Sequence, residues 1–120
     1  MSKSVRRLEK IIELLDNIDF ILESKTFQLT QAIQDKIIKP ALRMNIIRIA
    51  EEFSKLKEEN EFEILERFSK NDLRGISAVR NYIAHDYDST DDQIIEDVIR
   101  YNLPVFRDVI CTILYERKLF

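Results

Sequence analysis

Apolar side chains recur at steps of three and four along almost the whole chain, and one glycine and two prolines in 120 residues leave little to interrupt them. That period lays an apolar stripe along successive helices, where a strand would alternate residue by residue. Hydrophobic residues make up 45% and charged residues 34%, enough to bury one core beneath a solvated charged surface in a single domain over residues 1–120. The sequence therefore predicts an all-α protein, a bundle of four to five antiparallel helices.

The stripes mark out the elements. Val5, Leu8, Ile12, Leu15 and Leu22, flanked by Ile11, Ile18 and Ile21, predict a first helix from about residue 3 to about residue 24. Thr26 offers a cap for a second stretch leading to Pro40, where a kink or a helix restart near Lys39 is expected because proline removes a donor and crowds the preceding turn. Leu42, Ile46, Ile49, Phe53 and Leu56 form the cleanest stripe and predict the central core helix. Asn60 followed by Glu63 has the form of an N-cap with a back-bonding acid, predicting a short helix over residues 61–68. The polar run from Ser69 to Asp72 supplies caps for a helix beginning near Asp72. Thr90 with Gln93 makes a second capping box before a last helix, which Pro104 should bend by freeing the carbonyl of Arg100.

Charge and special residues narrow the function classes. A formal net charge of −3 argues against a non-specific nucleic-acid coat, while leaving room for a local basic cleft. The single cysteine, Cys111, has no intramolecular partner, and no apolar run follows the charged start, so a reduced, cytoplasmic chain with no membrane segment is expected. One histidine and one cysteine give no clustered ligand set, so no metal site is expected. Without a glycine-rich phosphate loop, no bound cofactor is expected and the chain is a poor nucleotidyltransferase.

The chemistry gathers between Arg80 and Tyr87, in the order Arg80-Asn81-Tyr82-Ile83-Ala84-His85-Asp86-Tyr87. An imidazole titrates near neutrality and a guanidinium is a permanent planar cation suited to phosphate, which together are parts for work on a phosphodiester. At about 100° per residue, Arg80 and His85 stand roughly 140° apart on a helix, whereas Asn81 and His85 share a face. Either the helix ends around Ala84 and frees the imidazole, or residues from elsewhere complete the site. RNA cleavage through the 2′-hydroxyl calls for a base, an acid and a cation at phosphorus, and the chain has only one histidine. A two-fold homodimer would bring two copies of Arg80 and His85 to one cleft. Asn81 is placed to hold the imidazole or nearby backbone, Ile83 and Ala84 are expected to face the core, and Tyr82 is read as a core aromatic.

The R-x4-H-x-Y spacing, with Asn81 after the arginine, resembles the signature of the HepT-like branch of the HEPN superfamily, a source of toxin ribonucleases. The likeness extends to Ala41-Leu42-Arg43-Met44-Asn45-Ile46-Ile47-Arg48-Ile49-Ala50-Glu51, similar to a family segment close to A-x-x-x-N-L-x-x-I-G-E, with Ala50 in place of the glycine. It extends also to Leu103-Pro104 in the last helix, while Leu73 stands where many members carry tryptophan. The resemblance implies a HEPN-type bundle and a dimer-interface site with Arg80 and His85 catalytic and Asn81 in the motif's asparagine position. It implies metal-independent RNA cleavage as the toxin of a type VII toxin–antitoxin pair. The partner it implies is an MntA-like nucleotidyltransferase antitoxin, which would silence the toxin by attaching AMP to Tyr87. Phosphate added there would put negative charge beside Arg80 and His85.

Plainer readings stand beside these. A lone histidine in a helical protein is more often an ordinary surface or core residue, and the joint register of Arg80, Asn81, His85 and Tyr87 is what argues for chemistry. Glu51 reads as an ion-pair or capping partner. Arg43, Arg48 and Arg74, with Arg80, are candidates for a basic strip guiding RNA, against the alternative of scattered solvated arginines. A different functional class shares the motif: a non-catalytic HEPN subunit that binds substrate for a nucleotidyltransferase or regulates it.

Overall fold

A computed structural model describes residues 2–24, 28–85 and 91–119. Its helices are α1 (Lys3–Ser24), α2 (Leu29–Ala32), α3 (Ile38–Glu58), α4 (Phe62–Leu65), α5 (Lys70–His85), α6 (Asp92–Asp97) and α7 (Leu103–Leu119), the last two joined by a π-helical turn, Val98–Asn102. The described residues form an all-α bundle whose long members are α1, α3, α5 and the continuous α6–α7 run. Central α3 packs against both α1 and α5, and α1 also packs against α7. Ion pairs fix the directions: Arg7 at the start of α1 meets Glu52 and Glu59 at the end of α3, and Arg107 early in α7 meets Asp16 and Asp19 late in α1. Both pairings are antiparallel.

The stripes read from the sequence form the core. Leu8, Ile11, Leu14 and Ile18 of α1 bury against Leu42, Ile46, Ile49 and Leu56 of α3, and Phe106 and Ile110 of α7 close the same cluster. Phe53, Phe68 and Phe106 meet at its centre, with ring centroids 5.1 Å apart edge-on for Phe53 and Phe68 and 4.9 Å apart for Phe53 and Phe106. Such pairs add roughly 0.5–1.5 kcal/mol each beyond the area they bury.

Helix ends follow local chemistry, and several differ from expectation. The helix restarts before Pro40: the Asp35 carboxylate accepts from the backbone N–H groups of Ile37 and Ile38, at 2.8 and 2.9 Å. Pro40 then falls in the first turn of α3, where no intrahelical donor is needed. Thr26 lies outside the described residues. Asn60 is not an N-cap. It has φ 58° and closes α3 as the left-handed residue of a Schellman motif, in which Glu61 N–H donates to the Leu56 carbonyl and Asn60 N–H to that of Lys57. With Asn60 spent there, the following helix shrinks to Phe62–Leu65.

Ser69 Oγ accepts from Asp72 N–H at 3.0 Å, so α5 begins at Lys70, two residues earlier than expected. Asp91 caps α6 by accepting from Gln93 N–H at 2.8 Å. The capping-box reading through Thr90 falls outside the described residues. Pro104 does act on the last helix. The turn before it widens so that Leu103 N–H donates five residues back, to the Val98 carbonyl.

Candidate active site

α5 positions the motif. Ile76 and Ile83, seven residues apart, are buried, with Leu73 and Val79 packed at the edge of the core, so the opposite side of the helix faces outward. Arg80 lies at the boundary between these sides. Its guanidinium donates to Asn81 Oδ1 at 3.1 Å and stands 3.9 Å from Glu51 Oε1 on α3. With both Arg80 and Glu51 more than a third exposed, this long pair contributes little to stability. It sets the guanidinium beside a carboxylate, and Glu51 takes the ion-pair role read from the sequence.

His85 is the last residue of α5 and is exposed. The helix is continuous from Arg80 and ends at His85, one residue past the end expected around Ala84, so the imidazole stands at the helix terminus. Five residues apart on that helix, Arg80 and His85 are rooted roughly 140° apart around its axis. Asn81 turns its oxygen to Arg80, a role the expected hold on the imidazole did not anticipate. Ile83 is fully buried, but Ala84 and Tyr82 are exposed, and both core assignments are corrected. Since α5 packs chiefly on α3, one narrow side suffices for its burial and Tyr82 falls beyond it. Tyr87 lies outside the described residues.

Two adjoining depressions open between α3 and α5. A shallow one of about 390 Å³ holds Arg80, Asn81 and Ser77 with Glu51, Glu58 and Lys55. A larger groove of about 640 Å³ shares Asn81, Ser77, Ala50 and Ser54 with it and continues to Arg74, Lys70, Lys57 and Phe62. His85 lines neither.

The four-arginine strip does not assemble. Arg43 is 2% exposed and donates to Asp92 Oδ1 at 2.8 Å, tying α3 to the start of α6, so it has no surface to offer a phosphate. Arg48 is exposed on α3 but lines neither depression, whereas Arg74 lines the groove. Sequence reasoning missed Lys57, Lys70 and Phe62, which stand in the groove beside Arg74. The signal was the reversal itself: the end of one helix and the start of the next must lie side by side across a short connection.

Among the described residues, no three His, Cys, Asp or Glu side chains gather as a metal site would require, and no helix is long and apolar enough to cross a membrane. Comparison with family models matches residues 1–113 to the family described as Ribonuclease HepT-like. Searches of curated proteins and of solved structures returned no match.

Proposed function

The chain belongs to the HepT-like ribonuclease family, and on that premise we propose that it is a metal-independent endoribonuclease toxin that cleaves cellular RNA in the cytoplasm at a site completed by a second copy of itself. The observation that carries this reading is that one continuous helix, inside the span that matches the family, bears both Arg80 and His85, five residues and so roughly 140° apart around its axis. With one histidine per chain, a single copy has no second imidazole to serve as the acid. Two copies related by a two-fold axis supply two guanidinium and two imidazole groups to a shared cleft. There one imidazole takes the proton of the 2′-hydroxyl as that oxygen bonds to phosphorus, the bond from phosphorus to the 5′-oxygen breaks, and the other imidazole, in its protonated form, gives that oxygen a proton, leaving a 2′,3′-cyclic phosphate. Arg80 meets the charge that develops on the phosphorus centre. Asn81 positions Arg80 by accepting from it, and Glu51 stands beside it.

In this reading the antitoxin is an MntA-like nucleotidyltransferase of a type VII pair, acting on Tyr87. That tyrosine follows the exposed end of α5 by two residues, and attached AMP would set phosphate against the groups that must receive RNA phosphate. A second reading, a non-catalytic subunit serving a nucleotidyltransferase, draws support from one observation: Arg80 already has Asn81 and Glu51 as partners within one chain.

RNA cleavage in EDTA by purified protein, freed of any partner, separates the two. The toxin reading expects cleavage by wild type and its loss in Arg80→Ala and His85→Ala. Intact RNA with all three proteins, each folded, dimeric and unmodified at Tyr87, would hand the function to the second reading.

A further inference from the structure

The 640 Å³ groove between α3 and α5 has a chemistry the motif does not use. Its charged lining residues are Lys57, Lys70 and Arg74, with no carboxylate among them, in a chain whose formal charge is −3. Cations that tie helices together have acid partners, Arg7 with Glu52 and Glu59, Arg107 with Asp16 and Asp19, and Arg67 with Glu116, whereas the groove gathers three cations in one space without one. The floor of the groove is apolar, built from Phe53, Leu65, Leu73 and Ile76, and at its rim Phe62 leaves 53% of its surface exposed. An apolar lining with a half-exposed aromatic ring and three cations but no carboxylate suits a ligand that carries both an aromatic face and negative charge. The volume lies within the roughly 300–1,000 Å³ typical of small-ligand sites. Asn81 and Ser77 line both this groove and the depression that holds Arg80, so a ligand seated here is continuous with the motif.

We infer that the groove is a subsite for one unpaired nucleotide of the RNA, its base against Phe62 and the apolar floor and its flanking phosphates on Lys57, Lys70 and Arg74. The inference rests on the ribonuclease reading and deepens it by specifying a single-stranded substrate. A duplex keeps its bases stacked inward, and only a splayed base reaches a rim aromatic. Each phosphate held by a groove cation adds about 0.7 to the slope of log affinity against log salt.

The test is fluorescence anisotropy of the full-length His85→Ala protein with a labelled single-stranded ribohexanucleotide, the same strand with abasic sites, and a duplex. Phe62→Leu should weaken binding of the intact strand about tenfold and leave the abasic strand unchanged, while Phe62→Trp should bind like its parent. Lys70→Ala with Arg74→Ala should weaken both strands and flatten the salt dependence. Equal binding of duplex and single strand, or binding unmoved by all the groove substitutions, would overturn the subsite. Loss of the dimer in the folded groove variants would overturn it as well, giving the groove to a second copy. RNA cleavage by wild type with groove-independent binding would sink the subsite alone. Groove-dependent binding without cleavage by wild type would support the subsite and overturn the ribonuclease reading.

Discussion

The α1–α3–α7 seam and the α3–α5 groove use basic residues in opposite ways. Along the seam each cation is met by acids on a neighbouring helix: Arg7 by Glu52 and Glu59, Arg107 by Asp16 and Asp19. Nearby, Asp92 takes both Lys39 and buried Arg43. In the groove, Lys57, Lys70 and Arg74 face solvent with no carboxylate lining the same space. Cations paired across helices hold the seam together, while the three gathered in the groove leave their charge for an anion from outside.

Substitutions should divide in the same way. The largest effect belongs to the motif: Arg80→Ala should lower the cleavage rate by about 10²–10⁴-fold. Its urea midpoint should stay near wild type, because the Arg80–Glu51 contact is long and exposed. A large shift in midpoint would move Arg80 to the structural side of the division. Next comes Asp92→Asn, which strips the charge facing a buried guanidinium and should cost about 3 kcal/mol in urea unfolding. Its effect on RNA affinity should be negligible if Arg43 is purely structural.

How these two arginines divide was not legible in the sequence. Arg43 and Arg80 look alike there, and the burial of Arg43 depends on Asp92, 49 residues away. Helix period, by contrast, is local: the α3 stripe came through residue for residue, and that of α1 came through rotated, with flanking Ile11 and Ile18 and the unnamed Leu14 buried and Val5, Ile12 and Leu22 only partly so. Caps were harder. Asn serves equally as an N-cap or as a left-handed closing residue, and Asn60 does the second. The motif was legible as chemistry, but the groove was not, since Lys57, Lys70 and Phe62 meet Arg74 only when α3 and α5 fold back on each other.

Smaller effects sharpen the seam. Arg107→Ala removes an exposed two-acid clasp between α1 and α7 and should cost about 0.5–1 kcal/mol, read from the shift in urea midpoint, with cleavage unchanged. The smallest effect is a pH dependence. The hydrogen-bonded Arg7 guanidinium holds the Glu59 carboxyl below its ordinary value. A depressed carboxyl contributes its stability above the ordinary glutamate range and loses it as pH falls through the lowered value. Thermal melts from neutral to acid pH should therefore show a slightly shallower fall in Glu59→Gln than in wild type. Equal slopes would remove this pair from the seam.

The central claim is that a second copy completes the cleft, and subunit mixing tests it most directly. Arg80→Ala and His85→Ala proteins are unfolded together, refolded, and assayed for RNA cleavage in EDTA, with heterodimers counted by native mass spectrometry. Each heterodimer carries one intact arginine and one intact histidine, on different chains, so its shared cleft keeps a base and a cation but lacks the second imidazole, and the rescue is partial. The account predicts that the mixture cleaves RNA roughly tenfold faster than either parent. Heterodimers that form in quantity and cleave no faster than the parents would contradict it.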